Sequence, residues 1–145
     1  MKLEDIIDEA RKDILKKDEI DLDDAALKIS SILQKWNEIL TKEKIHLRKL
    51  HREFSKWKKV LWEYYNGKLS PEDHEKYNLE PFALKILKKD YDVYFDSDPI
   101  VADFYDSLSL QEEKISFIER KLKDISSWQW LIRAAIDHRK FMSGG

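Results

Sequence analysis

Residues 26–67, ALKISSILQKWNEILTKEKIHLRKLHREFSKWKKVLWEYYNG, decide the fold. Taken at alternating steps of three and four from position 26, they read Ala26, Ile29, Leu33, Trp36, Leu40, Glu43, Leu47, Leu50, Phe54, Trp57, Leu61 and Tyr64. Only Glu43 breaks this apolar seam. Side chains at that period share one face of an α-helix and pack into the holes of a neighbouring helix. The stretch predicts a helix of roughly 40 residues, about 60 Å long at ~1.5 Å per residue. A helix of that length outruns a small domain, so its seam needs partner helices. Neither Pro nor Gly interrupts it before Asn66-Gly67, a C-terminal stop.

Outward from this helix the chain supplies those partners. Leu3, Ile6, Ile7, Ala10, Ile14 and Leu15 follow helical spacing and predict a short amphipathic helix. The acidic run Asp18–Asp24 reads as a linker whose carboxylates suit the start of the next helix. Past the stop, Ser70 is a candidate cap, Pro71 fits the first helical position and Asp73 can complete a capping box. That helix should be short and end near Asn78. Pro81 opens another short apolar stretch, Phe82 to Leu87, and Tyr91, Val93, Tyr94 and Phe95 are expected in a brief strand or an extended loop. Asp98-Pro99 repeats the cap-plus-first-position signal and starts the last helix.

The last helix has its own heptads. Leu108, Ile115, Leu122, Gln129 and Ile136 hold one seam position, and Gln111, Ile118, Ile125 and Ile132 hold the other. A second stripe, Leu110, Phe117, Trp128, Leu131 and Ala135, lies on an adjacent face. A helix with two apolar stripes can touch a neighbour on each side, which favours a closed ring or a bundle over a two-stranded coil. A polar Gln129 in such a seam can fix register at a subunit interface.

Composition agrees with long helices. The 145 residues are 39% charged and 42% hydrophobic, with three Gly and three Pro, too few breakers for a sandwich, a barrel or a doubly wound sheet. The chain has no Cys, which excludes disulfides and thiolate chemistry. Its apolar runs are too short to span a bilayer, and the polar start Met1–Asp5 is unlike a secretion signal. A soluble intracellular protein is expected. The length suits a protomer completed by identical neighbours.

The net charge of −2 conceals strong segregation. Residues 1–27 carry 5 basic and 10 acidic side chains, net −5, and residues 28–68 carry 11 and 4, net +7. Residues 69–113 carry 4 and 12, net −8, and residues 114–145 carry 7 and 3, net +4. Two explanations stand side by side: pairing of opposite blocks between subunits, or a polyanion meeting the basic block.

Catalytic signatures are absent. One internal Gly cannot build a phosphate loop. His46 and His51 drift off a common helical face, and His74 and His138 are isolated, so no zinc spacing exists. The aspartates around Tyr91 and Ser97 lack the central Gly and terminal Glu of a calcium loop, and Glu72, Asp73 and Glu75 around His74 read as a solvated helix start. No nucleophile–base pair is found, so neither an enzyme nor a cofactor is expected.

What remains is the second half of the long helix. Lys42, Lys44, Arg48, Lys49, Arg52, Lys56, Lys58 and Lys59 run along it, with Trp57, Trp62, Tyr64 and Tyr65 at its end. Cations release counterions from phosphates and aromatic rings stack on unpaired bases, a combination suited to single-stranded nucleic acid. Trp57 and Tyr64 lie in the seam and read as core. Trp62 and Tyr65 fall outside it and are the candidates for stacking.

Several stretches resemble the UvsY family of bacteriophage recombination mediators. They are Met1–Asp5, Lys35-Trp36, Leu61-Trp62-Glu63-Tyr64-Tyr65-Asn66-Gly67, Asp90–Val93 and Ile132–Phe141, in shared order along most of the chain. The resemblance implies a non-enzymatic protein that binds single-stranded DNA. It would help a RecA-like phage recombinase displace the phage single-strand-binding protein and form the presynaptic filament. It also implies a ring-like homo-oligomer, a hexamer or heptamer, in the cytoplasm of the infected bacterial host. The family's DNA-binding motif has two basic residues one position apart, just before the Tyr-Tyr run. Lys59 matches the first and Leu61 falls on the second, with Lys56 and Lys58 close by.

The expectation is therefore an all-α fold, long amphipathic helices forming a ring-like homo-oligomeric helical assembly. Residues 1–68 would carry the DNA-binding helix, 69–98 an acidic connection and 99–145 the oligomerisation helix. Arg48, Lys49, Arg52, Lys56, Lys58 and Lys59 would contact phosphates, and Trp62 and Tyr65 would stack on bases. Ile115, Ile118, Leu122, Ile125, Trp128, Ile132 and Ile136 would hold the oligomer. The rival expectation is a structural coiled-coil adaptor with no nucleic-acid role.

Overall fold

The computed structural model describes residues 1–15, 22–81 and 86–144, without the side chains of 22 and 23. Most of the acidic run from Asp18 and most of the apolar stretch from Phe82 lie outside the described residues. The described residues form five α-helices: α1 (Leu3–Lys12), α2 (Leu22–Tyr65), α3 (Pro71–Lys76), α4 (Tyr91–Asp96) and α5 (Pro99–Met142), with a 3-10 turn at Lys88–Asp90. Among the described residues there is no strand, and no helix is long and apolar enough to cross a membrane.

The helix ends follow from local chemistry. Past α2, the Lys68 N–H donates to the Glu63 carbonyl at 2.8 Å and the Gly67 N–H to the Tyr64 carbonyl at 3.2 Å. This pairing needs a left-handed residue, and Gly67 supplies it at φ +70° without a Cβ penalty. Asn78 (φ +54°) does the same after α3, where Leu79 N–H reaches the His74 carbonyl at 2.9 Å. At the start of α3 the Asp73 N–H donates to Ser70 Oγ at 3.2 Å. At the start of α5 the Ile100 N–H donates to Asp98 Oδ1 at 2.8 Å, so both capping residues serve as expected.

The chain forms two compact units, residues 1–46 with 111–145, and residues 47–110. Both long helices contribute to both units: α2 is divided near its middle, and α5 gives most of its length to the first. In the first unit α1, the first half of α2 and most of α5 surround Trp36, Ile6, Ile29, Ile118 and Ile125, all 2% exposed or less. Trp36 Nε1 donates to Asp13 Oδ2 at 2.9 Å, and Lys35 Nζ reaches the same oxygen at 2.5 Å and Glu9 at 3.2 Å. Lys121 donates to the Asp13 backbone carbonyl, and burial lowers its pKa despite the nearby carboxylates of Asp124 and Asp13.

Glu43, the polar break in the α2 seam, is buried here against a polar break in the α5 seam. Gln111 Nε2 donates to Glu43 Oε2 at 2.6 Å and to the Glu43 carbonyl at 2.9 Å, and the α-amino group of Met1 stands 3.2 Å from Oε1. Burial alone would raise the Glu43 pKa. The bonds from Gln111 and the amine, with the charges of the amine and Lys114, outweigh it and hold the carboxyl below its ordinary value.

This core takes up most of the side chains expected to hold the oligomer. Ile118, Ile125, Trp128 and Ile132 are buried within the protomer, Leu122 and Ile136 pack on the same core, and Ile115 is 8% exposed. All but Ile115 share this core with residues of α1 and α2. Gln129 is exposed. The apolar side chains of α5 left outside the first unit's core include Trp130 (71% exposed), Leu131 (46%) and Phe141 (82%).

In the second unit the later half of α2 packs with α3, α4 and the start of α5. Its core holds Phe54, Leu61, Tyr65, Val101 and Leu108, joined by Leu50, Trp57, Tyr91, Tyr94 and Phe95. Residues 91–96 form a helix where a strand or loop was expected. Tyr91, Tyr94 and Phe95 stand at steps of three and four, so a helix turns all three rings to one side. Tyr91 stacks on Phe95 at 5.7 Å, Phe95 on Phe54 at 6.3 Å, and Val93 is left 67% exposed. Packing decides over the β preference of these residue types.

Candidate nucleic-acid interface

The second unit carries 11 basic and 12 acidic side chains, nearly balanced. Their distribution is uneven. Phe54 and Leu61 fix which side of α2 faces the core, and at ~100° per residue the rest of the face follows. Arg48, Lys59, Arg52, Lys56 and Lys49 then fall, in that angular order, within a sector roughly 100° wide and about 16 Å long, opposite the core. All five are exposed. Neither these five nor Lys58 forms an ion pair among the described residues. Like charges at such spacing repel, so this face is poised for an anion that neutralises them.

Lys58 is placed differently. It lies at the edge of the core face, its Nζ 4.5 Å from the centre of the Phe54 ring. Its charge therefore already has a π partner. Of the remaining basic residues on α2, Lys44 stands 3.7 Å from Glu119 and Lys42 is exposed, both within the first unit.

Of the two rings expected to stack on bases, one is available. Trp62 is 44% exposed, flanking the basic sector, with Lys68 Nζ 4.8 Å from its ring centre. Tyr65 is buried at 9% exposure, and its hydroxyl donates to Asp98 Oδ2 at 2.5 Å. Burial pushes its pKa up, and the bond to Asp98 adds to the shift. Tyr65 ties the end of α2 to the cap of α5 and offers no free face to a base. The spacing 54, 61, 65 contains the signal, since Tyr65 continues the face of Phe54 and Leu61 by one further turn. Tyr64, read as core, is half-buried, its hydroxyl donating to the Glu80 carbonyl at 2.6 Å.

Leu61 is fully buried. Residues two apart on a helix point about 200° away from each other, so an outward Lys59 places position 61 in the core. The cations that share the outward face with Lys59 are about one, two and three turns back, at Lys56, Arg52 and Arg48. The expected site residues thus resolve into a coherent set of five cations with Trp62, a peripheral Lys58 and an internal Tyr65.

Sequence reasoning did not single out Glu53, Trp57 and Tyr77 as neighbours. Trp57 was read as core; it is half-buried and meets Tyr77, the C-cap of α3, edge-on at 5.3 Å and 64°. These residues line a cleft with Lys56 and Val60.

Residues 9–145 match the protein family described as "Recombination, repair and ssDNA binding protein UvsY". The fold is similar to crystal structures of the bacteriophage T4 recombination mediator protein UvsY. One (lattice type II) superposes with a TM-score of 0.84 at 22% identity, over 99% of both chains. Another (lattice type IV) gives 0.83 at 21% identity, over 97% of this chain and 99% of that one. No curated protein sequence matches the chain.

Proposed function

The chain belongs to the UvsY family, and from that premise we propose that it is a recombination mediator that holds single-stranded DNA on the outward face of α2. The observation that carries the reading is the sector formed by Arg48, Lys49, Arg52, Lys56 and Lys59, exposed and without ion pairs among the described residues. Phosphates of a strand displace counterions there, and Trp62 stacks on a base beside it. The role is non-catalytic: affinity for the strand does the work. Identical copies in a hexamer or heptamer would present the sector repeatedly, turning weak contacts into tight binding. A strand held in this way is withdrawn from the phage single-strand-binding protein and offered to a RecA-like recombinase, in the cytoplasm of the infected host.

A salt titration tests this. Five phosphate contacts per protomer give a slope of about −3.5 in log affinity against log salt for a single strand. Affinity then falls roughly 100-fold between 50 and 200 mM salt. Replacing Lys56 and Lys59 by Ala leaves three contacts, a slope of about −2 and a fall of roughly 20-fold over the same range. Binding that ignores salt, or no binding at the lowest salt, would leave the coiled-coil adaptor as the better reading.

A further inference from the structure

Glu53, Lys56, Trp57 and Val60 stand at helical spacings of three, four and seven, so they form one strip along the margin of the basic sector. Tyr77 closes the strip from the end of α3. Together they line a cleft of about 160 Å³. Its composition is unusual for a helix surface. The Trp57 and Tyr77 rings, inclined at 64°, make an angled aromatic wall, and Val60 adds apolar surface beside them. At the rim a cation, Lys56, and a carboxylate, Glu53, stand three residues apart, and Lys76 Nζ lies 5.3 Å from the centre of the Tyr77 ring.

We propose that this cleft is a base-reading subsite that takes one unpaired nucleobase bearing an exocyclic amino group. The inference rests on the single-stranded DNA reading above. A base entering the cleft lies against Trp57 and Tyr77 with its π-face covered. Lys56, which belongs to both the cleft and the basic sector, holds the phosphate of that nucleotide. Glu53, beside the Tyr77 hydroxyl, is then the carboxylate that meets the base edge. An ionised carboxylate only accepts hydrogen bonds. It pairs with the exocyclic amino group of cytosine, adenine or guanine, whereas thymine offers only its N3–H, flanked by two carbonyl oxygens that the carboxylate repels. The sector supplies affinity without regard to sequence, and the cleft adds a preference for amino-bearing bases.

Fluorescence anisotropy with oligo-dC and oligo-dT of equal length, at one low salt concentration, tests the inference on the full chain. Oligo-dC should bind roughly tenfold more tightly than oligo-dT. In Glu53→Gln the ratio should collapse toward one, chiefly through stronger oligo-dT binding, since an amide also donates to a carbonyl. Glu53 is an exposed helix residue, so the variant keeps its fold. Trp57→Phe, which preserves an apolar ring at a half-buried position, should weaken both oligonucleotides while the Glu53-dependent ratio persists. Equal affinity for the two in the native chain, or an unchanged ratio in Glu53→Gln, overturns the subsite and leaves the basic sector standing. No binding of either at low salt overturns both readings together.

Discussion

Ile125→Ala tests whether the α5 seam serves the protomer core or contacts between copies. Ile125 is fully buried among Trp36, Ile118 and Trp128 of its own unit. Truncation removes apolar contacts and leaves a cavity, at a cost of about 2–5 kcal/mol for an Ile at such a site. That is a large share of the ~5–15 kcal/mol by which domains of this kind are stable. With a urea dependence of about 2 kcal/mol/M, the unfolding midpoint should drop by roughly 1–2.5 M. The assay is urea denaturation followed by far-UV circular dichroism at two well-separated protein concentrations. Contacts inside the protomer give a shift independent of concentration, whereas contacts between copies give one that grows on dilution. Leu131→Asp is the counterpart. Leu131 is 46% exposed, so the change should leave helicity intact while light scattering reports a smaller assembly. A variant Ile125→Ala with a native midpoint and a lost assembly would refute the placement of this seam in the protomer core.

Trp62→Ala should weaken single-stranded DNA binding roughly fivefold or more without loss of helicity, read by anisotropy and circular dichroism. Tyr65→Phe should do the reverse, costing about 1–3 kcal/mol of stability through the lost bond to Asp98 while leaving DNA affinity unchanged. Comparable affinity losses in the two variants would contradict the internal placement of Tyr65. Because the folded Glu43 pKa is depressed, its contribution to stability is fully present above the ordinary carboxylate pKa and is lost as pH falls through the lower folded value. Denaturation midpoints of the native chain should therefore decline more steeply below about pH 4.5 than those of Glu43→Gln; parallel curves would show that Glu43 is not held by Gln111 and the amine.

The parts of the fold that were legible are those governed by local rules. Asn66-Gly67, Ser70-Pro71 and Asp98-Pro99 marked helix ends because a left-handed glycine, a capping oxygen and a proline without an N–H act within a few residues of themselves. The seams of α2 and α5 were legible as apolar periodicity. Their partners were not, since a heptad has the same spacing whether the facing helix belongs to the same chain or to a copy. Glu43 and Gln111 show the missing information: each is a defect in its own seam, and only their meeting across 68 residues of sequence makes both satisfied. Residues 91–96 failed for the related reason that aromatic residues favour strands until neighbours such as Phe54 and Tyr65 reward a helix. For the candidate site, the cations were legible as charge and their common face as period. Tyr65 lies one further turn along the face of Phe54 and Leu61, so its internal place was legible in the same period.

The geometry of α2 also bears on how a basic pair one position apart can serve on this fold. On a helix whose core face is set by Phe54, Leu61 and Tyr65, positions 59 and 61 lie on opposite sides. A cation at 61 would occupy the place of a fully buried leucine, where a charge without a partner is costly. The chain instead keeps the apolar side chain and carries its charge along the axis, one cation per turn from Arg48 through Arg52 and Lys56 to Lys59. A strand held as proposed would be followed lengthwise by contacts spread in this way, with the adjacent strip of Glu53, Trp57 and Tyr77 within reach of its bases. Under the proposed function, the apolar side chain at 61 therefore goes with a track of cations in place of a local pair, and a track suits a protein that holds a strand through its phosphates.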